Sequence, residues 1–184
     1  MSSRKKCIIS IAIIFVVIIL FIPLIYQRIN NTDNIPILIP KPEKIIIYNN
    51  NKNITIDEKD KNFYEILRLT SQRLKPTQES KKIINSTNED SLLKEVSMSK
   101  YAWRCIEFIY DKPTSFKFYL NNDEEKEVKF KKVFFLVSAE TPEDFGTDMI
   151  YGEEEYISEI KNINIDSKIM TKLLKIVEQE VPYR

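Results

Sequence analysis

The nineteen residues 8–26 carry no charge, and Arg4, Lys5 and Lys6 stand just before them. At 1.5 Å per residue a helix of that length reaches about 28 Å, enough to cross a hydrocarbon core of about 30 Å. The run is rich in Ile and Val, which are poor helix formers in water. In lipid, however, a lone span must satisfy its own backbone hydrogen bonds, and helix is its only solution. Pro23 falls near the far end, where a lost N–H is tolerable. Three cations before the run outweigh Arg28 alone just after it, so the positive-inside rule puts residues 1–7 in the cytoplasm and the domain from about residue 44 onward outside.

Other readings of this run fit less well. A cleaved signal peptide has a shorter apolar core and small residues before the cut, and Phe21-Ile-Pro-Leu-Ile-Tyr26 offers none. A lipoprotein needs its Cys after the apolar run, whereas Cys7 precedes it; palmitoylation of Cys7 is open to a juxtamembrane thiol. A signal-anchor is therefore expected, in contact with the lipid bilayer. Residues 27–43 read as an Asn-rich, then Pro-spaced linker, with Pro36, Pro40 and Pro42 favouring extended backbone. At about 3.1 Å per residue its reach is on the order of 50 Å, so residues 44–184 stay close to the membrane.

Composition removes whole classes of chemistry from that domain. The chain has no His, which excludes His-based triads, His-containing zinc sites and His pH switches. Gly146 and Gly152 are its only glycines, so Gly-rich phosphate loops and dinucleotide fingerprints are absent. Cys105, embedded in an apolar run, reads as a buried structural thiol. With 28 basic and 27 acidic residues the surface is balanced, which argues against nucleic acid as a partner.

Ile45-Ile-Ile-Tyr48 and Asn53-Ile-Thr-Ile56 flank Asn49-Asn-Asn-Lys52, a hairpin with an Asn-rich turn. Helix-start signals at residues 57–61 precede Phe63, Ile66, Leu67, Thr70 and Leu74 at helical spacing, and Pro76 stops the helix. Residues 78–90 read as loop, with a short helical turn near 91–96. Strands are expected at 101–110, 115–120, 127–138, 148–151 and 155–160. In residues 103–109 and 133–137 apolar side chains point to both faces, the pattern of central strands covered on both sides. Residues 167–180 place Ile169, Leu173, Ile176 and Val177 on one face behind a Ser cap. The sum is one α+β domain: an antiparallel sheet with a helix after the first hairpin and a helix at the C-terminus, preceded by the span.

Lys44-Ile-Ile-Ile-Tyr-Asn with Asn53-Ile-Thr-Ile, then Phe63-Tyr-Glu-Ile-Leu67 and Ile106-Glu-Phe-Ile-Tyr-Asp-Lys-Pro113, resemble small single-pass extracytoplasmic proteins of AT-rich Gram-positive bacteria. The resemblance implies a location and a fold type and brings no site residues with it.

Chemistry-bearing constellations have plainer readings beside them. Glu153-Glu154-Glu155, with Glu143 and Asp144 nearby, could serve carboxylate chemistry on a wall glycan, but three consecutive acids at a hairpin tip read first as a solvated turn. Asp57, Glu58 and Asp60, or Asp123, Glu124 and Glu125, lack the alternating oxygen ligands and central Gly of a calcium loop. Ser97-Met-Ser-Lys100 matches a Ser-x-x-Lys nucleophile motif without the rest of that pattern. Aromatics between Tyr101 and Tyr119 are sheet core or, on an open face, protein contact. No catalytic, cofactor-binding or metal-ligating residue is assigned, and no cofactor is expected. Trp103, Tyr110, Tyr119, Glu153, Glu154 and Glu155 are the candidates for partner contact. The expectation is a non-enzymatic, extracytoplasmic binding or regulatory module acting on a neighbouring envelope or membrane protein. The alternative is an envelope enzyme or ligand binder working on wall polymer through carboxylates such as Glu107 or Glu143.

Overall fold

Asn50 and Asn51 adopt positive φ values of 48° and 64°. That pair of left-handed residues makes the two-residue turn whose twist matches antiparallel strands, and Asn tolerates it better than other side chains. It joins β1 (Lys44–Asn49) to β2 (Lys52–Ile56), with Asn49 opposite Lys52. The computed structural model describes residues 39–74, 82–85, 89–119, 125–161, 163 and 166–182. The expected span, Cys7 and the linker up to residue 38 lie outside these residues, as do Asp123 and Glu124. Among the described residues no helix is long and apolar enough to cross a membrane.

After the hairpin come α1 (Phe63–Gln72), β3 (Lys82–Asn85), α2 (Glu89–Ala102), β4 (Arg104–Tyr119), β5 (Glu125–Ser138), β6 (Met149–Gly152), β7 (Tyr156–Lys161) and α3 (Ser167–Glu180). The class is α+β. The strands form one seven-stranded sheet in the order β2-β1-β4-β5-β6-β7-β3, with every neighbouring pair antiparallel. Helices cover both faces. On one face, Phe63, Ile66 and Leu67 of α1 and Leu173 and Val177 of α3 pack on Ile45, Ile47, Ile106, Phe108, Val133 and Phe135. On the other, Leu92 and Val96 of α2 pack on Cys105, Phe134, Ile150 and Tyr156. Burying each such side chain is worth about 1.5–3 kcal/mol, which is why β4 and β5 carry apolar residues on both faces.

Several local expectations change. The helical turn near 91–96 is a fourteen-residue helix that runs through Tyr101 and Ala102, so the next strand begins at Arg104 and not at 101. Part of the expected 78–90 loop, Lys82–Asn85, is an edge strand paired with β7. β4 continues past Pro113 because the ladder has a register shift between Ile109 and Thr114, where a missing N–H costs no pairing. The cap of α3 is Asp166, whose Oδ1 accepts from the backbone N–H of Lys168 (2.9 Å) and Ile169 (3.1 Å); Ser167 is the first helical residue. Asp57 and Asp60 form a turn ahead of α1 (Asp57 N–H to Asp60 Oδ2, 2.8 Å; Lys59 N–H to Asp57 Oδ1, 2.8 Å).

Candidate functional site

Glu107 sits in β4 between Ile46 of β1 and Phe134 of β5, facing α2, and is only 4 % exposed. A carboxylate there must be paired, because burying a lone charge costs far more than the fold can supply. Three groups from three elements meet the requirement. Lys100, in the last turn of α2, brings Nζ to 2.7 Å from Oε2. The Tyr48 hydroxyl of β1 donates to the same oxygen at 2.7 Å, and the Tyr156 hydroxyl of β7 donates to Oε1. The Lys100 ammonium also lies 4.9 Å from the centre of the Tyr48 ring and 5.7 Å from that of Tyr156. Beside it the buried Cys105 thiol donates to the Ser99 carbonyl at 3.3 Å.

Burial works to raise the Glu107 pKa, but the Lys100 charge and the hydrogen bonds from Lys100, Tyr156 and Tyr48 outweigh it and hold the carboxyl below its usual range. Burial, then Glu107 itself, pushes both phenols well above theirs, and burial pushes the Cys105 thiol up. At neutral pH the cluster is thus a paired carboxylate and ammonium with neutral phenols and a neutral thiol. Both carboxylate oxygens are occupied, and a protonated buried thiol is inert. The arrangement fixes α2 to the sheet and holds no group poised to take a proton or attack a substrate.

Immediately outside the cluster, Tyr48, Asn51, Asn53, Ser97, Lys100 and Tyr101 line an open depression of about 240 Å³. Further along α2, Leu93 and Met98 are exposed with Tyr101. Leu93 and Tyr101 are eight residues apart and share one side of the helix.

The residues named from sequence do not converge on this place. Trp103 comes nearest: half-buried between α2 and β4, it accepts the Asn50 backbone N–H at 3.3 Å and packs against the small core beneath α2. Tyr110 is buried on the opposite face, its hydroxyl bonded to the Pro40 carbonyl at 2.8 Å. Tyr119 ends β4 opposite Glu125; its side chain is outside the described part. Glu153, Glu154 and Glu155 are exposed in the β6–β7 turn, where Lys131 reaches the Glu154 carboxylate (2.9 Å) and Lys132 the Glu154 carbonyl. Glu143 is exposed between β5 and β6. Among the described residues no group of three or more Cys, Asp or Glu side chains is placed to hold a metal ion. Sequence reasoning named Lys100 only within the Ser-x-x-Lys match and missed it, with Tyr48 and Tyr156, as a partner of Glu107. The available signal was Glu107 itself, a carboxylate inside an apolar central strand.

A second buried charge lies on the far face. Arg73, just past α1, is fully buried; Nη2 donates to the Gly146 carbonyl at 2.5 Å and the guanidinium lies 5.7 Å from the centre of the Phe135 ring. Its Nε and Nη1 have no hydrogen-bond partner among the described residues. Burial lowers its pKa to about 9, with Asp148 opposing, so it stays a cation at neutral pH. Unpaired buried N–H groups cost about 1–3 kcal/mol each, more than the single charged bond returns. Arg73→Met is therefore expected to stabilise the chain by about 1 kcal/mol, a rise of roughly 2–4 °C in thermal midpoint. A fall in midpoint would mean that the Gly146 bond and the ring contact outweigh the desolvation.

Comparison with known protein families, with curated proteins and with solved structures finds no match for this chain.

Proposed function

We propose that the chain is a membrane-anchored, extracytoplasmic binding or regulatory module that acts on a neighbouring envelope protein without catalysing a reaction. The observation that carries this reading is the closure of the Glu107 cluster: the most enzyme-like group in the domain has every oxygen spent on internal partners. What α2 offers the surroundings is contact area instead, with Leu93 44 %, Met98 53 % and Tyr101 66 % exposed. The anchor rests on the uncharged run at residues 8–26, and the short linker keeps the domain within reach of membrane neighbours. The enzymatic alternative draws less from the fold, since Glu107 is tied to Lys100, Tyr48 and Tyr156 while Glu143 stands exposed in the loop between β5 and β6.

A photo-reactive residue at Leu93 or Met98 of the full chain, activated in native membranes, is expected to give one discrete protein adduct. A control at the exposed Lys126, on the far β4–β5 ribbon, should give none. Equal labelling from both places, or release of soluble wall fragments by the purified chain that stops on Glu107→Gln, would overturn the reading.

A further inference from the structure

The depression beside α2 has a lining whose chemistry narrows what can occupy it. Tyr48 and Asn53 are direct partners across the β1–β2 ladder, so both side chains stand on the α2 face. The positive-φ turn carries Asn51 to the rim, and α2 contributes Ser97, Lys100 and Tyr101. None of these six residues is acidic, and the one cation, Lys100, is already neutralised by Glu107 at 2.7 Å. The site therefore presents no net charge to an incoming ligand. Among the described residues the side-chain polar groups of Asn51, Asn53, Ser97 and Tyr101 have no hydrogen-bond partner, and all four residues are exposed. Tyr48, its hydroxyl committed to Glu107, offers ring surface, and Tyr101 offers an exposed ring at the edge.

Amides and hydroxyls that both donate and accept, set between aromatic rings with no free charge, match a ligand that is uncharged, rich in hydroxyls and has apolar C–H faces. The volume, about 240 Å³, is below the ~300–1,000 Å³ of sites for drug-sized molecules and suits a single ring. We propose that this depression binds one ring of a neutral saccharide. The inference goes beyond the protein-contact reading above and does not depend on it: Tyr101 borders both surfaces, but Leu93 and Met98 lie outside the depression and Asn51 lies outside the contact face.

Trp103 is not among the lining residues and meets the turn only through its backbone carbonyl, so binding is read on the ligand. The full chain is titrated with N,N′,N″-triacetylchitotriose and with maltotriose, following binding by ligand-observed NMR. The expected result is a saturable change for at least one of them, with a dissociation constant on the order of 1 mM, as fits a shallow open site. Affinity should be unchanged between about 0.05 and 0.5 M salt, because the ligand is neutral. Asn51→Gly keeps a favoured turn while deleting the amide, and Tyr101→Ala removes the exposed ring; each is expected to weaken binding roughly fivefold or more. Three results overturn the proposal: no saturable response to either sugar, a response that survives both substitutions, or saturation by N-acetyl-tyrosinamide or inorganic phosphate alone. Cross-linking from Leu93 in the Asn51→Gly chain stays as in the parent, so failure here is distinguishable from failure of the protein contact.

Discussion

Glu107→Gln is expected to lower the thermal midpoint of the full chain by about 10 °C. The amide keeps the shape of the side chain but removes its charge, leaving the Lys100 ammonium without its partner and two buried hydroxyls facing a poorer acceptor. Breaking a buried ion pair from one side costs about 3–5 kcal/mol; the Lys100 side chain is 24 % exposed, which places the cost near 3. At roughly 2–4 °C per kcal/mol for a domain of this size, that becomes the shift above. The pH dependence has a definite sign. The folded carboxyl ionises below its ordinary value of about 4.3, so its contribution is complete above that pH and disappears as pH falls through the folded value, where the unfolded chain is already protonated. The difference between parent and variant should therefore be flat from pH 5 to 8 and shrink below about 4. Glu159, raised by burial against the pull of Lys161, works in the opposite direction, but it is common to both chains and cancels in the difference. A midpoint change under 3 °C at pH 7, or a gap that widens in acid, would sink this account.

Gly152→Ala is expected to cost at least about 3 kcal/mol. A Cβ at that position would lie 1.7 Å from the Glu155 carbonyl oxygen and 2.9 Å from the Tyr156 Cα. Both are backbone atoms, so no rotamer relieves the overlap; the need for glycine here is close approach, since its φ is not positive. The β6–β7 turn would have to open at the pair Gly152–Tyr156, next to the register shift after Tyr151. Opening carries Tyr156 away from Glu107, so the substitution also loosens the cluster two strands away. Cys105 provides a second readout: its thiol, shielded in the parent, should react with a thiol reagent faster in the variant. A midpoint within 3 °C of the parent, with Cys105 still protected, would show that the turn gives way locally without disturbing the sheet.

Much of the fold was legible because local chemistry and tertiary packing agree there. The Asn-rich turn, the spacing Phe63, Ile66, Leu67, Thr70 and the two-sided apolar pattern of β4 and β5 each point to one structure, and each side chain is where its periodicity puts it. The second helix was underestimated for a physical reason. Its outward side mixes Leu93, Met98 and Tyr101 with polar residues, which blurs the helical period, and Tyr101-Ala-Trp103 leads into a strand without a break. β3 was invisible because its place depends on pairing with β7, some 77 residues on at Ile83 and Ile160. The cluster was half visible. A glutamate between Ile106 and Phe108 announces a need for partners, but Tyr48 is 59 residues away and Tyr156 is 49 away, and only the sheet order brings them to it.

The sheet order also sets when this domain can first exist during synthesis. β1 lies between β2 and β4, and β4 follows it by about 60 residues, as the Tyr48–Glu107 separation shows. At ~5–20 residues per second, Ile45 and Ile47 emerge ~3–12 s before the strand that covers them. The last tie comes later still: the Asn49 side chain donates at 2.6 Å to the carbonyl of Val181, 132 residues on. A chain whose β1 is tied to the end of α3 matures only once that helix has emerged, as sequence-distant pairing slows folding generally. Until then its early strands stand open to whatever chaperone attends the emerging polypeptide.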